Sequence, residues 1–213
     1  MANEHELTPA EQKRLEKFEE IRSDLVSRGY KCTELIIGLV WANVFSFILF
    51  VPVAIISMVL YLMVNSSDGI VDSLLEMSPL TYLLFVVILL ALVVVHELIH
   101  GATWAIFAEH HFKDIEFGFI KKYLTPYCTC KVALAKGAYI LGALMPLIIL
   151  GIIPVAIAIA AGSLFWLWMG IIMITSASGD ILIVHKIVTY KTEAGEILYY
   201  DHPTNAGGVI FEK

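Results

Sequence analysis

Residues 83–100 read LLFVVILLALVVVHELIH, and the fold turns on how this stretch is understood. From Leu83 to Val95 there is no charged side chain and no side-chain hydrogen-bonding group. Ser78-Pro79, just upstream, has the form of a helix cap followed by proline at the first helical position, where its missing N–H breaks no helical bond. The pattern predicts a helix over about residues 79–107, and about 20 apolar residues suffice to cross the hydrocarbon of a bilayer. Into the far half of this span the sequence puts His96, Glu97 and His100. Each ionisable group at such depth is disfavoured by roughly 2.5–3.5 kcal/mol on insertion scales, so three within five positions need a compensating partner.

Outward from this helix, the rest of the chain repeats the apolar theme. Of its 213 residues, 59% are hydrophobic and 16% charged, too few charges for the surface of a soluble domain of this length. Further spans are predicted over about 36–64, 137–161 and 163–188, which makes an all-α membrane protein of four transmembrane helices with a small cytoplasmic β-hairpin. The third span contains Gly142, Pro146, Gly151 and Pro154 and is expected to be kinked or closely packed. The turn near Gly162-Ser163 is so short that the last two spans should run antiparallel. Trp41, Trp166 and Trp168 fall near span ends, where indole rings anchor at the interface.

Residues 1–35 read as a cytoplasmic amphipathic helix. Thr8-Pro9-Ala10-Glu11 fits a capping box, Leu15, Phe18, Ile21 and Leu25 recur at helical spacing, and Gly29 is a stop signal. This charged start lacks the apolar core of a signal peptide. Lysine and arginine cluster in the N-terminal segment, in the 108–136 loop and after the last span, and are absent from 65–78 and 162–163. That alternation puts both termini and the 108–136 loop in the cytoplasm, in agreement with an even number of spans. Within the loop, Ile115, Phe117 and Phe119 alternate with Asp114, Glu116 and Gly118; Tyr127 to Leu134 is a second strand, and Leu124-Thr125-Pro126 the turn. The tail, 189–213, is expected to hold short strands and turns or to form a mobile end. Nothing resembles a nucleic-acid-binding patch. Cys32, Cys128 and Cys130 make no disulfide framework and read as reduced thiols.

The chemistry is concentrated in His96-Glu97-Leu98-Ile99-His100. Positions i and i+4 of a helix point the same way, so two imidazoles can hold one metal ion. Glu97 lies about 100° round the helix and is placed to act on a water activated by that metal, as general base. Zinc lowers the pKa of such a water to about 7. A catalytic zinc takes three protein ligands, so a third comes from elsewhere. Asp180 is the acidic residue deep in another span; Glu109, His110, His111 and His185 are the alternatives. Counting favours Asp180: His96 lies 17 residues past Pro79 and Asp180 17 past Ser163. At about 1.5 Å per residue both sit roughly 26 Å from the outer ends of untilted helices.

At these residues the chain resembles a bacterial family of membrane proteins described as putative zincin peptidases. The resemblance rests on His96 to Gly101, Pro126-Tyr127, Cys130-Lys131, Leu144-Met145-Pro146, Gly151 to Pro154, Ser178-Gly179-Asp180 and Asp201-His202-Pro203. A looser similarity is to site-2-type intramembrane metalloproteases, which also pair this motif with an aspartate from a later span. Their aspartate follows Asn-Pro, whereas Asp180 follows Ser178-Gly179. The resemblance implies a zinc metallopeptidase of the bacterial cell membrane acting on a peptide or membrane-protein substrate, with His96, His100 and Asp180 on zinc and Glu97 catalytic. The alternative is a non-catalytic membrane metal-binding or scaffold protein. An intact Glu97 favours the enzyme, because metal binding alone does not require that acid.

Overall fold

The structure, a computed structural model, describes residues 8–65, 78–120 and 125–213. The polar loop predicted after the first span, and the residues leading into the hairpin turn at Leu124, lie largely outside these limits. The described residues are mostly helical, with two small antiparallel sheets. Among the described residues, three helices are long and apolar enough to cross a membrane: Val40–Val64, Pro79–Phe107 and Lys136–Ala161. Leu164–Ser176 and Ser178–Thr189 together would make a fourth.

Helix α1 spans Pro9–Ser27. Its capping box forms: the Glu11 amide donates to the Thr8 hydroxyl, and the Thr8 amide to the Glu11 carboxylate. Such a cap contributes about 1 kcal/mol. The chain leaves the helix at Gly29, whose φ of 92° suits a residue without Cβ. The helix expected over 1–35 is therefore shorter. Residues Lys31–Ile36 form strand β1 instead, and helix α2 begins only at Leu39, running to Val64. Strand β1 pairs with β6 (Gly207–Glu212), next to β5 (Ile197–Asp201) and then β4 (Leu134–Ala135). This four-stranded sheet adds to the hairpin foreseen in the sequence. Its central strand obeys the period of two: Val209 and Phe211 pack with Phe18 and Leu25 of α1, while Ile210 packs with Ile183, Ile187 and Tyr199. The sheet is a layer between α1 and the ends of the helices.

Helix α3, Pro79–Phe107, begins as expected, with the Thr81 amide donating to the Ser78 hydroxyl. It leads through a short 3-10 turn into the hairpin of β2 (Ile115–Ile120) and β3 (Thr125–Cys130). The second strand runs over Thr125–Cys130 and not Tyr127 to Leu134: Thr125 and Pro126, expected in the turn, pair with Ile120 and Phe119, and Leu134 joins the other sheet. The third apolar stretch is divided into α4 (Lys136–Pro146), a π-helical segment (Leu147–Ile152) and α5 (Ile153–Ala161). Pro154 lacks the N–H that would bond the Leu150 carbonyl, which fits a widened turn at that point. Close packing follows from Gly151 and Gly170: a Cβ on Gly151 would lie 2.6 Å from Ile174 Cγ1, and one on Gly170 2.7 Å from Val155 Cγ2.

The last stretch is not one continuous helix. Helices α6 (Leu164–Ser176) and α7 (Ser178–Thr189) meet at Ala177 with a 45° bend. Hydroxyl groups satisfy carbonyls around the break: Thr175 donates to Ile172 O, Ser176 to Met173 O, and Ser46 of α2 to Thr175 O at 3.0 Å. In an apolar setting such donors let a helix bend without leaving its carbonyls bare.

Candidate metal centre

His96 and His100 stand one turn apart on α3 and are both buried. The break at Ala177 places Asp180 in the first turn of α7, where the helix N-terminus favours a carboxylate. His96 Nε2 lies 3.2 Å from Asp180 Oδ2, and His100 Nε2 lies 3.5 Å from Asp180 Oδ1. Ligand atoms of the three side chains all fall within 4.8 Å of one another, so they could hold one metal ion.

The chemistry of these donors fits a cation. His100 Nδ1 lies 2.8 Å from the Gly142 carbonyl, which can only accept, so Nδ1 carries the proton. In the neutral ring Nε2 then turns a lone pair towards Asp180, another acceptor. His96 makes its hydrogen-bonding contact through Nε2 as well, and its Nδ1 is buried without a partner among the described residues. The His100 lone pair directed at a carboxylate repels it unless a proton or another positive charge lies between them, whereas His96 Nε2 can itself donate to Asp180. A divalent ion supplies that charge and also compensates three ionisable groups in an apolar helix.

The acceptor for His100 has a local cause. Pro146 follows Gly142 by four residues and has no N–H, so the Gly142 carbonyl has no helical amide to bond at that position. The absence of a side chain at Gly142 is equally required, since a Cβ there would lie 2.0 Å from Trp104 Nε1. The Trp104 ring stacks on His100 with centroids 5.2 Å apart, and Tyr139 stacks on Trp104 at 5.6 Å. Orienting partners of this kind commonly affect metal affinity by about 10–100-fold. Pro146→Ala restores an amide that competes for the Gly142 carbonyl. It is expected to weaken zinc binding by about 10-fold or more without unfolding the helix. Competition titration with a chromophoric chelator measures this.

Glu97 is partly buried beside the histidines, and the Cys128 backbone amide lies near its carboxylate. The other candidates for a third ligand are elsewhere. His110 pairs with Asp114 at 3.4 Å, His111 Nδ1 lies 2.9 Å from Ala105 O, and Glu109 and His185 are exposed. Cys128 and Cys130 are free thiols outside the cluster. Burial pushes Cys130 up to about 12 and Cys128 higher still, so both stay protonated at neutral pH.

The arrangement also uses residues that the sequence reading passed over. The Gly142 carbonyl is a backbone atom with no side-chain signature. Tyr139 has the composition of any core aromatic. Arg14 of α1 packs its guanidinium 4.5 Å over the Tyr127 ring, bonds the Tyr127 hydroxyl and donates to Pro203 O at 3.1 Å. It ties the first helix to the hairpin and to the tail, and no local pattern announces it.

No curated protein and no solved structure matches the chain. A family model does match residues 88–194, a stretch that takes in His96, Glu97, His100, the hairpin, Gly142 and Asp180, and the chain belongs to that family, described as "Putative zincin peptidase".

Proposed function

We propose that the protein is a zinc-dependent, membrane-embedded peptidase that hydrolyses a peptide bond with a metal-activated water. The observation that carries this reading is the convergence of His96, His100 and Asp180 beside an acid, Glu97, that metal binding alone would not need. Three protein donors are the number that catalytic zinc sites use, whereas structural sites use four. When bound, zinc supplies Lewis acidity towards water and towards the peptide carbonyl. Glu97 accepts the proton from water and returns it to the departing amine. His100, fixed by the Gly142 carbonyl and the Trp104 ring, keeps its lone pair aimed without further reorganisation. Metal analysis of the purified protein, paired with a peptide-cleavage screen, tests the assignment. About one zinc per chain and cleavage abolished by chelation are expected. Cleavage that persists after complete removal of metal would overturn it.

The membrane setting rests on the outer surface of the helices. Phe47 is 77% exposed, Leu90 63% and Ile157 62%, and the surrounding residues are also apolar. A contiguous apolar surface of that kind is stable against lipid and unstable in water. The connections place α1, β1, the hairpin and the C-terminal sheet at one end of the bundle and the Gly162 turn at the other. The lysine and arginine distribution supports a cytoplasmic position for the sheet end. Single cysteines at Ser163 and at Glu193, in a background lacking the native thiols, should react with impermeant reagent from opposite sides. Reaction of both from one side would remove the four-span topology.

A further inference from the structure

β3 has one edge paired with β2, and its other edge is met by two carboxylates. In the register Phe117 opposite Cys128 and Ile115 opposite Cys130, the amides of Cys128 and Cys130 point to the same, outer side. The Cys128 amide, on that side, lies beside Glu97 of α3. The Cys130 N–H donates to Asp201 Oδ2 at 3.0 Å. These amides are one strand repeat apart, about 6.8 Å. Asp201 closes β5, and its other oxygen accepts from the Tyr139 hydroxyl at 2.5 Å. Tyr139 is 3% exposed and belongs to the ring stack Tyr139–Trp104–His100. Asp201 therefore joins two routes into the centre. One runs through Cys130 and β3 to Glu97, and the other through Tyr139 and Trp104 to His100.

We propose that Asp201 is a positioning residue that holds the base Glu97 in register with the metal ligand His100. It touches neither the metal donors nor the reacting atoms. It connects the C-terminal sheet, the hairpin and α4 through one carboxylate whose two oxygens serve different elements. This is why an acid is required there: a carboxylate accepts at both oxygens, whereas an amide presents N–H groups at one of them and would meet a backbone or hydroxyl donor with another donor. The inference rests on the peptidase reading for the role of Glu97 but not for the coupling itself.

Asp201→Asn tests it, with Tyr139→Phe as a milder variant that removes one donor and keeps the volume. Amide exchange by mass spectrometry on peptides covering 125–132 reads the coupling without reference to activity. In Asp201→Asn, exchange at Cys128 and Cys130 should rise about 10-fold or more while Val209 and Ile210 stay protected, with Tyr139→Phe shifting the same way by less. In protein reloaded with cobalt(II), the ligand-field spectrum and the metal stoichiometry should be retained. Peptide kcat should fall by about 10–100-fold at little changed KM. Phe211→Leu, which perturbs the same sheet away from Asp201, should lower Tm and leave kcat unchanged. Unaltered exchange across β3 in Asp201→Asn would overturn the coupling. So would loss of kcat matched by equal loss of metal, or an equal kcat loss in Phe211→Leu. Failure of the wild type to cleave any peptide counts against the peptidase reading alone, because the exchange arm still decides whether Asp201 holds β3.

Discussion

Glu97→Gln is expected to keep the fold and the bound zinc and to lose peptide hydrolysis by about 10²–10⁴-fold, the range for a positioned general base. The substitution preserves side-chain length and volume. Glutamine can still accept the Cys128 N–H through its carbonyl oxygen, so the local contacts survive. What it cannot do is take a proton from water at neutral pH. The proposed metal donors are His96, His100 and Asp180, whose ligand atoms lie within 4.8 Å of one another without Glu97 among them, so metal content should match the wild type. Zinc stoichiometry, thermal stability and a cleavage assay on the same preparation check each part. Full activity in a zinc-loaded Glu97→Gln protein would remove Glu97 from the mechanism. Inactivity together with lost metal would make it a ligand and not a base.

Asp180→Ala is expected to reduce zinc affinity by more than about 100-fold, beyond the usual effect of an outer-shell partner. Asp180 faces both histidines, at 3.2 Å from His96 Nε2 and 3.5 Å from His100 Nε2, and it contributes the negative charge of the set. Its removal leaves two neutral nitrogens, too few for a tight site in competition with water and chelators. The helix should persist, since alanine favours helical conformation and the serine and threonine hydroxyls around the bend are untouched. Membrane insertion should therefore be normal while equilibrium dialysis shows the metal lost. Near wild-type affinity in Asp180→Ala would move the third donor to another residue.

Much of this was legible in the chain itself, and the reason is locality. The helix at Pro79–Phe107 follows from an uninterrupted apolar run with a serine cap and a proline, all short-range features. The convergence of His96 and His100 follows from helical periodicity over five residues. The capping box at Thr8 and the exit at Gly29 are equally local, as is the alternation that makes β2. Counting residues from the span ends also put His96 and Asp180 at one depth.

Depth is half of the information a metal site needs, and the direction each side chain faces is the other half. Asp180 is 84 residues from His96, and the bend at Ala177 resets the helical phase between Ser163 and Asp180. Which way its carboxylate points was decided by how α6 and α7 pack and by hydroxyl groups that stabilise the break. The same holds for the sheet, where Lys31–Ile36 pairs with Gly207–Glu212 across most of the chain, so that neither strand shows its partner in its own sequence. It holds for the Gly142 carbonyl, freed by Pro146 but given a purpose only when α4 lies against His100. Sequence alone determined where the apolar helical stretches would lie, which two histidines would share a face and which acid would stand beside them, because those depend on neighbours within a few positions. Tertiary structure decided which carboxylate meets the two histidines, the orientation of the histidine rings and the strand beside Glu97, because those depend on rotations and contacts between elements that no short window of sequence contains.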